Sequence, residues 1–184
     1  MNYQQLIQQA KDGDPAAEKA LYDHLSGTFF SMCCRYVKNE ADAEERMADG
    51  FFIFFKKLQY FKYESDGALY AYLAEIMVRE CVHQLRKKQV FNIIAEPIET
   101  DAVLDHDMLD KLSTEKIQAI ICTLPEQARI IFNLYVVEGW QHNEIADILG
   151  ISTGTSKSQF ARARQLLQKK LSFLKNDHEK HVSK

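Results

Sequence analysis

The chain has 184 residues, 46% hydrophobic and 27% charged, with a formal net charge of −3. That is enough to bury the core of one domain or two small ones, and it excludes a disordered, collagenous or disulfide-framed chain. Seven glycines and three prolines, set among long stretches of Ala, Leu, Glu, Gln and Lys, offer few turns and much helix propensity, so an all-α protein is expected. A pI near 6.1 leaves a nucleic-acid partner open, because phosphate binding depends on where basic groups lie and not on their sum.

The opening "MNYQQLIQQAKDGD" has no basic start followed by an apolar run, so neither a signal peptide nor a membrane-inserted segment is expected, and a cytoplasmic location follows. A short amphipathic helix over about Tyr3 to Lys11 breaks at "DGDP". Asp14 can cap a second helix with Pro15 in its first turn, where the missing N–H costs nothing. That helix carries Leu21, Leu25, Phe29, Met32 and Tyr36 at spacings of three and four, one apolar stripe.

A third helix is predicted from about Ala41 to Phe61, with Met47, Phe51, Phe54, Leu58 and Phe61 along one face and Phe52 and Phe55 beside it. Its "FFIFF" is too short to span a membrane and is flanked by Asp49, Lys56 and Lys57, which favours packing with some partner contact. After the turn-like "YESDGA", a fourth helix from about Leu69 to Lys88 buries Leu73, Ile76, Met77, Cys81 and Leu85. Its basic end "RKKQ" suits the helix dipole. Cys33, Cys34, Cys81 and Cys122 lack the paired spacing of a zinc site, and Cys81 and His83, two apart, point to different sides of a helix. Reduced core thiols, no metal and no cofactor are expected.

Between Gln89 and Thr114 the composition changes: Glu96, Glu99, Asp101, Asp105, Asp107 and Asp110 face only Lys111, and Pro97 interrupts. This reads as a flexible acidic linker. The expected organisation is a first domain over 1–89, a linker over 90–111, a second domain over 112–176 and a tail over 177–184.

The second block holds a helix up to Leu124, a break at Pro125, a helix through "EQARIIFNLYVVEG", and two final elements that read as a helix-turn-helix. Ile145, Ile148 and Leu149 edge the first of these; Gly150 supplies a left-handed turn residue, Ile151 packs back, and Ser152 caps the next helix. On that last helix Phe160, Ala163, Leu167 and Leu171 cluster on one side. Gly154, Thr155, Lys157, Ser158 and Arg162 project from the opposite, early face. Lys157, Arg162, Arg164, Lys169 and Lys170 occur between Thr153 and Ser172 without a single acid. Small residues for close approach, with hydroxyl and basic groups near the N-terminal end, are what a major-groove recognition helix needs. With roughly four phosphates contacted, log affinity should fall with log salt at a slope of about −3.6.

Five segments in order, "LIQQAKDGDPAAEKALYDH", "ADAEERMADGFFIFFKKLQYF", "DGALYAYLAEIMVRECVHQLRKK", "LPEQARIIFNLYVVEGW" and "EIADILGISTGTSKSQFARARQLL", resemble the extracytoplasmic-function sigma factors of bacterial RNA polymerase. The resemblance implies a promoter-specificity subunit and not an enzyme. It implies binding of the polymerase core through the clamp helices of the β′ subunit and the flap of the β subunit, binding of promoter DNA, an anti-sigma factor as a regulatory partner, and no small-molecule substrate. It places polymerase docking on Glu45, Asp49, Phe51 and Phe52, with Ala48 where many members carry Gln. Downstream-element contacts fall on Tyr60, Phe61, Tyr63, Ser65 and Asp66, in and beside the loop that would hold a flipped base, and on Arg79, Arg86 and Lys87 along the next helix. Upstream-element contacts fall on Gly154, Thr155, Lys157, Ser158, Ala161 and Arg162.

Several residues depart from the family pattern. His83 replaces a common Asp, Ser156 an apolar Val, Gln159 an Arg, and Gln141 a Ser or Thr cap. From these follow either a looser core at Ser156, on the packed side with Phe160, or a Ser156 hydroxyl bonded back to the Ser152 carbonyl, together with one fewer cation for phosphate at Gln159 and a weaker start to the helix after Gln141. The alternative reading is a stand-alone regulator with a LuxR-like helix-turn-helix; it would normally carry strands ahead of that motif, where this chain shows helical periodicity. An enzyme using Cys33, His83 or His106 lacks a nucleophile and base motif, a phosphate loop and paired carboxylates.

Overall fold

A computed structural model describes residues 2–37, 39–87 and 114–182, which are helical with no strand among them. They divide into two compact units, Met1–Leu85 and Arg86–Lys184. The acidic segment 90–111 lies outside the described residues.

In the first unit α1 spans Tyr3–Lys11, α2 Pro15–Tyr36 and α3 Glu40–Lys57, and α4, Asp66–Lys87, belongs to it up to Leu85. Side-chain caps start the first three: Asn2 accepts from the Gln5 N–H at 3.1 Å, Asp14 from Ala16 at 2.9 Å and Asn39 from Ala41 at 2.8 Å. The third helix is shorter than expected, because the chain tightens into a 3-10 turn over Leu58–Tyr60 that closes with the Phe61 N–H on the Leu58 carbonyl. The fourth begins earlier than Leu69. Ser65 Oγ accepts from the Ala68 N–H at 3.1 Å and so nucleates the turn from Asp66 onward.

Leu21, Leu25, Phe29, Cys33 and Tyr36 form the buried stripe of α2. Cys33, four residues after Phe29, takes the place that Met32 was expected to fill, and Met32 stays half-buried. Phe51 of α3 packs its ring 4.9 Å from Tyr22 and 6.2 Å from Phe29, while Phe61 stacks on Tyr72 of α4 at 4.9 Å. Each such side chain removed from water stabilises the unit by about 1.5–3 kcal/mol. Helices α3 and α4 approach so closely at Gly50 that a Cβ there would lie 2.2 Å from Met77 Sδ. Glycine is the residue that fits.

In the second unit α5 spans Thr114–Cys122, α6 Glu126–Phe132, α7 His142–Leu149 and α8 Thr153–Val182. Residues 177–182, expected in a tail, are therefore helical. Pro125 precedes the first residue of α6, and a π-helical turn over Asn133–Val137 follows that helix directly. Leu124, Ala128, Phe132, Ala163 and Leu167 form one buried cluster, with Ile120, Ile121, Phe160 and Leu166 packed against it.

Candidate functional site

The helix-turn-helix is built from its turn. Gly150 ends α7 at φ 68°, the left-handed conformation that costs other residues most, and the Ile151 N–H returns to the Ala146 carbonyl at 3.1 Å. Ile151 is half-buried, not a core residue. Ser152 then caps α8: its Oγ accepts from the Thr155 N–H at 2.9 Å and lies 2.9 Å from Thr155 Oγ1. Ahead of α7, the Glu144 carboxylate accepts from the Gln141 N–H at 2.8 Å, so one N-terminal donor is satisfied without a Ser or Thr cap, and the weak start expected there is offset.

On α8, Gly154, Lys157 and Arg162 are exposed, and Thr155, Ser158 and Ala161 are half-buried along the same early stretch. The Ser158 hydroxyl donates to the Thr155 carbonyl at 3.0 Å and keeps its lone pairs as acceptors. Arg164 lies 5.8 Å over the Phe160 ring, a cation–π contact that holds it against the domain.

Two expectations about this helix are corrected. Gln159 is 3% exposed, so it faces the packed side, where no phosphate would reach a cation in its place. Ser156 is fully buried, and its Oγ lies 2.9 Å from His142 Nδ1 instead of reaching the Ser152 carbonyl. The His142 ring stacks on Tyr135 at 4.5 Å and meets Phe160 edge-on at 5.7 Å. Desolvation, and then the nearby Lys157 charge, hold this imidazole below its ordinary pKa of 6.5, so it is neutral at pH 7.

In the first unit the acids Glu45 and Asp49 converge on one buried cation. Arg46 pairs with the Glu45 carboxylate, and its Nη1 lies 2.9 Å from Asp49 Oδ2. Burial works against the Arg46 charge, but the two carboxylates outweigh it. Phe52 stands beside them 69% exposed, whereas Phe51 is 2% exposed. Phe51 is therefore a core residue and offers no docking surface, because it lies on the α3 face that packs against α2. Phe61, 8% exposed and stacked on Tyr72, is likewise unavailable as a platform for a base.

Tyr60, at 85% exposed, does offer a free ring beside the loop. The Tyr63 hydroxyl donates to Asp66, which pushes the phenol pKa up, and Ser65 is engaged as the α4 cap. The Lys11 ammonium donates to the Phe61 carbonyl at 2.6 Å and ties this loop to α1. Along α4 Arg79 is exposed and held by Glu75 at 2.8 Å, a surface pair that contributes little and can be exchanged for a phosphate. Arg86 and Lys87 are exposed at the helix end.

Cys33 and Cys81 are buried free thiols, and the hydrogen bond to Cys33 together with desolvation pushes the Cys81 thiol up. Among the described residues no group of three or more His, Cys, Asp or Glu is placed to hold a metal, and no helix is long and apolar enough to cross a membrane.

The sigma-70 region 2 family matches residues 21–90, and the sigma-70 region 4 family matches residues 114–167. These matches, in chain order and together about two thirds of the sequence, decide the assignment. The chain belongs to the sigma-70 family. Among its relatives are the ECF RNA polymerase sigma-E factor of Haemophilus influenzae, 26% identical over 91% of this chain and 94% of the relative, and the sigma factor SigW of Bacillus subtilis, 26% identical over 90% and 94%. A solved structure of the sigma factor RpoE with the anti-sigma factor NepR from Bartonella quintana aligns over 84% of this chain and 96% of that one, at 22% identity and a TM-score of 0.49. As a sigma factor the protein works with RNA polymerase and promoter DNA and confers promoter specificity on transcription initiation.

Two functional candidates escaped the sequence reading. Arg46 carried a usable signal, a cation with acids one residue before and three after it on a helix. His142 carried a fainter one: a serine at a packed position of α8 needs a hydrogen-bond partner from a neighbouring element.

Proposed function

We propose that the two units divide the work of initiation. The first, over 1–89, docks on the β′ clamp helices through the exposed side of α3, with Glu45 and Asp49 facing basic clamp surface and Phe52 as the apolar anchor. Its loop takes an unstacked base of the downstream element against Tyr60, with Tyr63, Ser65 and Asp66 shaping the surroundings. Arg79, Arg86 and Lys87 follow the adjoining backbone as phosphate contacts. The second unit, over 112–176, reads the upstream element with Gly154, Thr155, Lys157, Ser158, Ala161 and Arg162 and rests on the β flap, and the 90–111 segment spans the two.

The protein positions DNA and makes or breaks no bond itself, acts in the cytoplasm, and is held in check by an anti-sigma factor. One observation carries this reading. A helix capped by Ser152 and set by a left-handed Gly150 turn leaves Lys157 and Arg162 exposed, on a stretch of chain without acids.

The test combines tagged full-length protein with purified RNA polymerase core, followed by transcription from fragmented genomic DNA. Retention of core and transcripts starting at discrete sites are expected. A folded protein that retains no core would overturn the docking proposal, and retention without discrete starts would overturn the promoter-reading one.

A further inference from the structure

We infer that His142 and Ser156 form a polar joint that sets the recognition helix on its supporting helix, and that they are positioning residues for upstream-element recognition. The inference rests on the reading of α8 as the promoter-reading helix. Ser156 is the residue between Thr155 and Lys157, two of the proposed DNA contacts, and its side chain points the other way, fully buried toward α7. Its hydroxyl lies 2.9 Å from His142 Nδ1, in the first turn of α7.

The imidazole has little freedom to follow a displaced helix. Tyr135 stacks on one face at an interplanar angle of 16°, and Phe160, itself on α8, closes the edge at 62°. Tyr135 and Phe160 also touch each other, with centroids 4.6 Å apart. The ring is thus fixed by two aromatic contacts and offers Nδ1 in one direction.

A buried hydroxyl must be satisfied, and a hydrogen bond constrains direction as well as distance. An apolar contact at the same place would tolerate sliding and rolling of α8 at nearly constant energy, since apolar burial is non-directional. The bond to His142 fixes the roll of the first helical turn, and with it the tips of Thr155, Lys157 and Ser158. Contacts that discriminate bases survive only displacements of a few tenths of an ångström, so the joint acts on sequence preference before it acts on general affinity for DNA. His142 is a positioning residue here, since Lys157 and not His142 would meet the nucleic acid.

The experiment uses holoenzyme reconstituted from RNA polymerase core and the full chain, with a randomised double-stranded DNA pool as the probe. The parent is first used to enrich a sequence, and the ratio of its affinity for the enriched duplex to that for an unselected duplex is then measured at one salt concentration. Ser156→Ala should lower that ratio by about tenfold or more, the worth of one good base contact. Its affinity for unselected DNA should stay within about twofold, because phosphate attraction is unchanged.

The double variant His142→Phe with Ser156→Ala removes both polar partners, so it should recover the parent's thermal midpoint while its ratio stays low. Recovery of the ratio together with the midpoint would show a purely structural role and overturn the inference, as would a Ser156→Ala ratio equal to the parent's. A parent holoenzyme that enriches no sequence would instead remove the promoter-reading role of α8, and the inference with it.

Discussion

The two proposed contact faces are built in opposite ways. On α3 the charges are tied to one another: Glu45 and Asp49 both hold the buried Arg46, and Phe52 projects alone beside them. On α8 the basic side chains Lys157 and Arg162 stand exposed, and it is the backbone beneath them that is tied down, by Ser152 at the cap and by Ser156 through His142. Acids on α3 therefore have an internal role besides the proposed docking one, and changes there alter the fold as well as the surface. Lys157 and Arg162 can be removed with little consequence for the fold. A substitution such as Asp49→Lys is accordingly a poor probe of docking, because the new ammonium would face the Arg46 guanidinium.

The largest effect is expected where α3 is packed tightest. Gly50→Val should destabilise the first unit by about 2–3 kcal/mol through overpacking against Met77; an unchanged urea midpoint would mean that the close approach of α3 and α4 is not a constraint. Asp49→Ala should cost about 1–2 kcal/mol, at the low end for a partner of a buried cation because this carboxylate is half-exposed. Equal stability of variant and parent would detach the acid from its internal role.

On the α8 side, Lys157→Ala and Arg162→Ala should leave the thermal midpoint in place and each reduce the salt slope of DNA binding by about 1. A shifted midpoint would erase the contrast between the faces. The smallest effect is a pH dependence. His142 is held below 6.5 in the folded protein, so the unfolded chain takes up its proton first as pH falls. The stability contributed by the neutral ring is complete above pH 6.5 and is lost as pH falls below it. Between pH 7.5 and 5.5 the second unit should lose more stability in the parent than in His142→Phe; equal losses would contradict the burial of a neutral imidazole.

Much of this was legible in the sequence. Asp14 with Pro15, the stripe of Leu21, Leu25 and Phe29, and the Gly150 and Ser152 punctuation each encode local structure through a few neighbouring residues, and each element forms where that chemistry puts it. The face of an aromatic was less so. Phe51 and Phe52 are adjacent and chemically identical, and only packing against Tyr22 and Phe29 makes one a core residue and leaves the other at the surface. Gln159 reads as a surface position although it is buried, and Ser156 reads as a loosened one because its partner, His142, comes from another helix. The π-helical turn over Asn133–Val137 has no propensity signature of its own, so the sequence there reads as continuous helix.

If separate faces serve polymerase and DNA, two variants should differ in their binding of polymerase core. Phe52→Asp changes an exposed ring without internal charge partners, so it should keep the parent's unfolding midpoint and lose core affinity by about tenfold or more. The Lys157→Ala, Arg162→Ala double variant should bind core as the parent does. Core binding by Phe52→Asp at the parent's affinity would contradict docking through α3.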